Sequence, residues 1–183
     1  MKKFELTSET KINIFGKKLF RIKALVSFGV VKTGETGGWV EKEENVNQSG
    51  DAWVFGNAEV FGNARVSGDA EVFGNARVSG NARVSGNAEV FGNAEVSGNA
   101  RVFGNAEVFG NADYTTIHGF GTQFRTTTFF RCKDKQVKVS CGCFYGTIPE
   151  FREQVKNTRD GKIAEEYLMI ADLMEKHFAE EAK

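Results

Sequence analysis

Proline occurs once in 183 residues, at Pro149, so the chain holds no Pro-rich linker and no polyproline recognition segment. Histidine occurs twice, at His118 and His177, which leaves little material for imidazole-based catalysis. Neither charge sign is in excess: 24 Lys and Arg balance 24 Asp and Glu. That balance removes any global drive toward nucleic acid or anionic lipid. No run of about 18 apolar residues is present to span a bilayer. The opening MKKFELTSETKINIF holds no apolar segment of signal-peptide length. These absences predict a cytoplasmic protein with no membrane partner and with nucleic acid disfavoured as a partner. Cysteine is scarce, odd in number and confined to one region, as Cys132, Cys141 and Cys143. In a reducing compartment that pattern reads as free thiols. Nothing in the pattern asks for a cofactor.

What is abundant is glycine, 21 residues, and phenylalanine, 17. Most of the glycine belongs to one repeat, GNARVSGNAEVFGNAEVSGNARVFGNA and its neighbours. Alanines recur every six residues from Ala52 to Ala112; valines follow two later, from Val54 to Val108, with Tyr114 in the next slot. A two-residue alternation inside a six-residue period means short strands joined by tight corners. Ala and Val face one side, and the variable Glu/Arg and Phe/Ser slots face the other. The Gly-Asn pair makes the corner, because both residues tolerate left-handed backbone. This period is the mark of a parallel β-helix, and three hexapeptides per coil give a triangular prism.

An 18-residue coil stacks position n on n + 18, and the variable slots sort by that rule. Phe55, Phe73, Phe91 and Phe109 form one column; Arg65, Arg83 and Arg101 form another; Glu71, Glu89 and Glu107 stand above Trp53. The third face carries Glu59, Arg77, Glu95 and Asp113, nearly alternating in sign. Duplication of six residues alone would not sort Phe and Arg by threes. The slots are therefore assigned face by face.

Outside the repeat, KINIF and LFRIKALV flank Gly16-Lys17-Lys18 as a hairpin. GETGGWVEKEENVNQSG reads as a degenerate first coil, with Trp39 packed in the cap. FRTTTFFRCKDKQVKVSCGCF reads as a second hairpin turning at Lys133-Asp134-Lys135. Thr147-Ile-Pro-Glu150 is a capping box opening a helix that turns Phe151 and Val155 inward. A last helix from about Lys162 to Phe178 presents Ile163, Tyr167, Ile170, Met174 and Phe178 at helical spacing. The expected fold is mainly β, with an N-terminal β cap over 1–32, a β-helix over 33–117 (clear repeats 50–115) and a C-terminal ββαα cap over 118–183.

The aliphatic–x–x–Asn–small–x rhythm over residues 50–117 resembles the hexapeptide-repeat, left-handed parallel β-helix family. The run from GGWVEKEENV through the repeats to CGCFYGTIPEFREQV and EEYLMIADLMEKHF resembles the small phage and prophage "polymer-forming" hexapeptide proteins. The resemblance implies a left-handed coil and a phage-related source, hence a host cytoplasm. It implies no activity.

Candidate functional residues fall into four groups. The Phe column, with Phe61 and Phe103 around its corners, is an apolar strip suited to a homo-oligomer interface. The alternative is rings lying flat on the face to stabilise it. Arg65, Arg83 and Arg101 are the candidates for an anionic partner: an acidic face of a second copy, a host or phage protein, or a nucleotide. A nucleotide or a host immune enzyme as partner would make the chain an anti-defence protein. His118 is the candidate base of an acyltransferase, the enzyme alternative that the hexapeptide resemblance raises, although no loop interrupts the coils to wall a substrate pocket. Cys132, Cys141 and Cys143 are candidate metal ligands if the hairpin brings Cys132 across to the other two. The leading expectation is a non-enzymatic binding and assembly module.

Overall fold

The computed structural model describes residues 2–179. The chain divides into two compact units, Met1–Asn111 and Ala112–Lys183.

The first unit opens with β1 (Phe4–Ile12), β2 (Lys18–Ala24) and β3 (Thr36–Val40), an antiparallel set. Ten two-residue strands follow, from β4 (Trp53–Val54) to β13 (Glu107–Val108). They build a parallel β-solenoid with three sheets. One face runs Trp39, Glu59, Arg77, Glu95 and continues into β2 and β1. A second runs Trp53, Glu71, Glu89, Glu107, and a third Arg65, Arg83, Arg101. From Trp53 onward each strand residue pairs with the one 18 positions on, as the slot sorting predicts.

The corners explain the glycine. Gly68 has φ +68°, and a Cβ there would lie 2.9 Å from the backbone nitrogen of Gly86 one coil above. Left-handed backbone and close stacking both demand glycine. Asparagine side chains then bond along the corners, as Asn63 Nδ2 to Asn81 Oδ1 (3.2 Å) and Asn81 Nδ2 to Asn99 Oδ1 (3.0 Å). The lumen is Ala on Ala and Val on Val, all without solvent exposure from Ala52 to Val108. Each such Val contributes about 1.5–3 kcal/mol. The stack ends at Val108: Ala112 is exposed, and Tyr114 leaves the series to pair with Phe130 in another sheet.

The first coil departs from the period. Val40 pairs with Val60 and Val46 with Val66, both 20 apart, while Trp53 pairs with Glu71 at 18. The two extra residues lie between Val46 and Val54. Within that stretch Gln48 accepts from the Lys3 (2.8 Å) and Phe4 (3.2 Å) amides and donates to the Phe4 carbonyl (3.2 Å). The insertion anchors β1.

A solenoid end exposes carbonyls that no lower coil reaches, and three side chains supply donors. Lys3 Nζ donates to the carbonyls of Gly50 (3.0 Å) and Ala52 (2.8 Å). Asn45 Nδ2 donates to those of Gly62 (3.2 Å) and Ala64 (2.9 Å). Arg21 Nη1 donates to Gly56 (2.8 Å). Trp39 packs in this cap with Leu19 and Phe61, with Lys11 and Arg21 over its ring at 4.6 and 4.7 Å.

The second unit is a four-stranded antiparallel sheet, β14 (Tyr114–Phe120), β15 (Arg125–Arg131), β16 (Val137–Cys141) and β17 (Phe144–Thr147) in that order. It contains the expected hairpin plus a strand on either side. Helices α1 (Ile148–Thr158) and α2 (Gly161–His177) cover it. The capping box forms at Thr147: Glu150 accepts from the Thr147 amide (2.6 Å) and hydroxyl (2.8 Å). Those bonds hold the Glu150 carboxyl below the ordinary carboxylate range. Phe151, Val155, Tyr167, Ile170, Met174 and Phe178 are buried against Phe129 and Val139; Ile163 is half-buried. Among the described residues no helix is long and apolar enough to cross a membrane.

Candidate functional site

The three solenoid faces differ in how their charges are met. On the mixed face Arg77 lies between two acids, with Nη1 2.7 Å from Glu95 and Nε 3.8 Å from Glu59. Glu59 is nearly buried and also takes Lys11 at 2.8 Å and the Asn13 amide at 3.3 Å. This face is electrostatically closed on itself.

The other two faces each repeat one sign. Glu71, Glu89 and Glu107 are adjacent rungs of one ladder, and Arg65, Arg83 and Arg101 of the other. Rungs of a parallel ladder are about 4.8 Å apart, a spacing at which like charges oppose each other. The three arginines are exposed, and among the described residues no carboxylate lies within ion-pair distance of Arg65 or Arg83. Beside them runs a groove of about 570 Å³ lined by Arg65, Arg83, Ser67, Ser85 and the acidic pair Glu43 and Glu44. The groove therefore carries both signs, and Glu43 is itself paired with Lys2 at 2.6 Å.

The Phe column borders the acidic face. Phe73 stacks on Phe91 with centroids 4.7 Å apart and planes 10° off parallel. Phe91 meets Phe109 edge-on at 5.2 Å. Phe55 at the foot is half-buried, and Phe109 at the top is 62% exposed. The rings stack along the face, the alternative reading of the column, with Phe73 and Phe91 half-buried. Phe103 is half-buried on the corner after the basic face. Phe61 is withdrawn from any such surface: it is buried against Phe15 (5.5 Å), because the β1–β2 turn folds over it.

Register breaks up the cysteine constellation. Cys141 pairs with Thr127, whose hydroxyl donates to its sulfur at 3.1 Å. Cys132 pairs with Gln136 beside the hairpin turn, five residues further along, or roughly 16 Å at strand spacing. Cys143 is not on a strand face with Cys141. Gly142-Cys143 is a two-residue turn between β16 and β17, with Gly142 at φ +62°. Cys132 is buried, which pushes its thiol up to about 11. Among the described residues no three His, Cys, Asp or Glu side chains gather as a metal site.

His118 is exposed on β14, with Thr126 Oγ1 3.2 Å from its Nδ1. A hydroxyl neighbour does not orient or charge an imidazole as a carboxylate would.

The repeat matches a family model described as a YdcK β-solenoid repeat, over residues 70–86 and 76–90. A search of the curated proteins found no match.

Proposed function

We propose that the chain is a non-enzymatic binding and assembly module that associates laterally with copies of itself, of the kind expected of a phage or prophage accessory protein. The observation that carries this reading is the division of sign between two faces that share one period. An acidic ladder and a basic ladder with the same rung spacing match rung for rung when the acidic face of one copy meets the basic face of the next. Each copy carries both complements, so the contact is heterologous and leads to a ring or an open row.

Magnitudes assign the roles. Exposed ion pairs are worth about 0.2–1 kcal/mol each, so three set register and orientation more than affinity. Full burial of an exposed Phe contributes about 1.5–3 kcal/mol, so covering the half-buried Phe73 and Phe91 contributes part of that and the more exposed Phe109 most of it. The Phe edge holds the contact, and the ladders align it.

Light scattering on wild type and on a Phe73→Ser/Phe91→Ser variant tests the reading. Wild type is expected as a defined oligomer and the variant as a folded monomer. A monomeric wild type at tens of micromolar refutes self-association.

A further inference from the structure

The second unit holds a cavity of about 280 Å³ at one end of its sheet. The first residue of β15, Arg125, and the residue after α1, Arg159, stand on it, with Phe144, Phe151 and Tyr167 as apolar wall. Among the described residues, no Asp or Glu lines it.

These two arginines differ from the ion-paired ones. Arg21, Arg77, Arg131 and Arg152 each lie within ion-pair distance of a carboxylate. Among the described residues Arg125 and Arg159 do not, and both line this one cavity. Both are placed by local structure. A Cβ on Gly142 would lie 2.6 Å from Arg125 Nη1, so the guanidinium crosses the β16–β17 turn where a side chain is missing. Arg159 Nη1 donates to the Thr158 carbonyl at 2.8 Å. Tyr167 is fixed in turn, its hydroxyl donating to the Phe120 carbonyl at 3.2 Å. Burial and the neighbouring Cys141 raise its pKa, and the charges of Arg159 and Arg125 oppose that rise.

Two guanidiniums without acids match a dianion, and the guanidinium fork matches phosphate oxygens. The aromatic wall calls for an organic body beside the phosphate, and the volume limits it to a small one. We propose that this cavity binds a small phosphomonoester, its phosphate held by Arg125 and Arg159 and its body lying against Phe144, Phe151 and Tyr167. The proposal is independent of self-association through the solenoid.

The probe is phenyl phosphate, titrated into the full chain with amide shifts followed by NMR. Saturable shifts are expected at Phe144, Thr158 and Tyr167, with Arg125→Gln and Arg159→Gln each weakening binding about tenfold or more. Lys32→Gln, an exposed cation in the other unit, leaves it unchanged. Both cavity variants alter exposed side chains, and circular dichroism verifies their folding. Shifts that do not saturate, or a loss equalled by Lys32→Gln, overturn the site. Equal binding of inorganic phosphate overturns the role of the aromatic wall, and equal binding of benzoate overturns the match to a dianion.

Discussion

Lys3 shows how one side chain completes an element. It is 4% exposed and its ammonium occupies the place of a missing strand below Gly50 and Ala52. Burial pushes its pKa down from 10.5 to about 8, against the opposing pull of Asp51 and Asp69. The unfolded chain therefore holds more protons between pH 8 and 10.5. This group costs stability in full below pH 8 and makes the fold more stable as pH rises through that window. In urea unfolding, wild type is expected to gain on Lys3→Met between pH 8 and 10, and a constant difference contradicts the assignment. Corner glycines give a second comparison. Gly68 combines φ +68° with a backbone atom 2.9 Å from a new Cβ, while Gly98 has φ +66° and nothing within 4 Å. Gly98→Ala is expected to cost about 1–2 kcal/mol for the left-handed backbone alone. Gly68→Ala costs measurably more, read as the difference in thermal midpoints. The glycines were legible because the repeat spells them out. Lys3 and Asn45 were not, because their partners are carbonyls of a terminal coil that exists only once register is known.

At the scale of elements, the 18-residue sorting of Phe, Arg and Glu predicted three strands per coil, and the ladders follow it. Two strands of the second unit were hidden for local reasons. Tyr114-Thr-Thr-Ile continues the repeat's two-residue alternation and so read as its last rung, yet it begins β14. Phe144–Thr147 is only four residues long and runs straight into the α1 capping box. The cysteines failed at the same scale. Their identity was plain, but a two-residue turn at Gly142-Cys143 and the Thr127–Cys141 register separate them. The first coil offers the test proper to an element. Asn45 is fully buried and donates to two carbonyls that, among the described residues, no backbone amide reaches. Asn45→Ala is expected to destabilise by about 1–3 kcal/mol, the cost of orphaning buried acceptors. Asn81→Ala, on an exposed corner ladder, is expected to cost well under 1 kcal/mol. Equal losses in chemical denaturation contradict side-chain completion of the solenoid end.

At the scale of the whole molecule, one solenoid face alternates its charges in ion pairs and the other two each repeat one sign. Fold demands none of this, since the lumen is Ala and Val on every face. The outer slots are free to encode association, and their sorting by face is what the six-residue repeat alone does not explain. The direct test uses two reversals. Arg65→Glu/Arg83→Glu reverses two of the three basic rungs, and Glu71→Arg/Glu89→Arg reverses two of the three acidic ones. Light scattering is expected to find each variant monomeric alone and the equimolar mixture restored to the wild-type mass, with the two variants alternating. If either variant keeps the wild-type mass alone, or if the mixture stays monomeric while both variants are folded, the two ladders are not partners and lateral assembly through them is wrong.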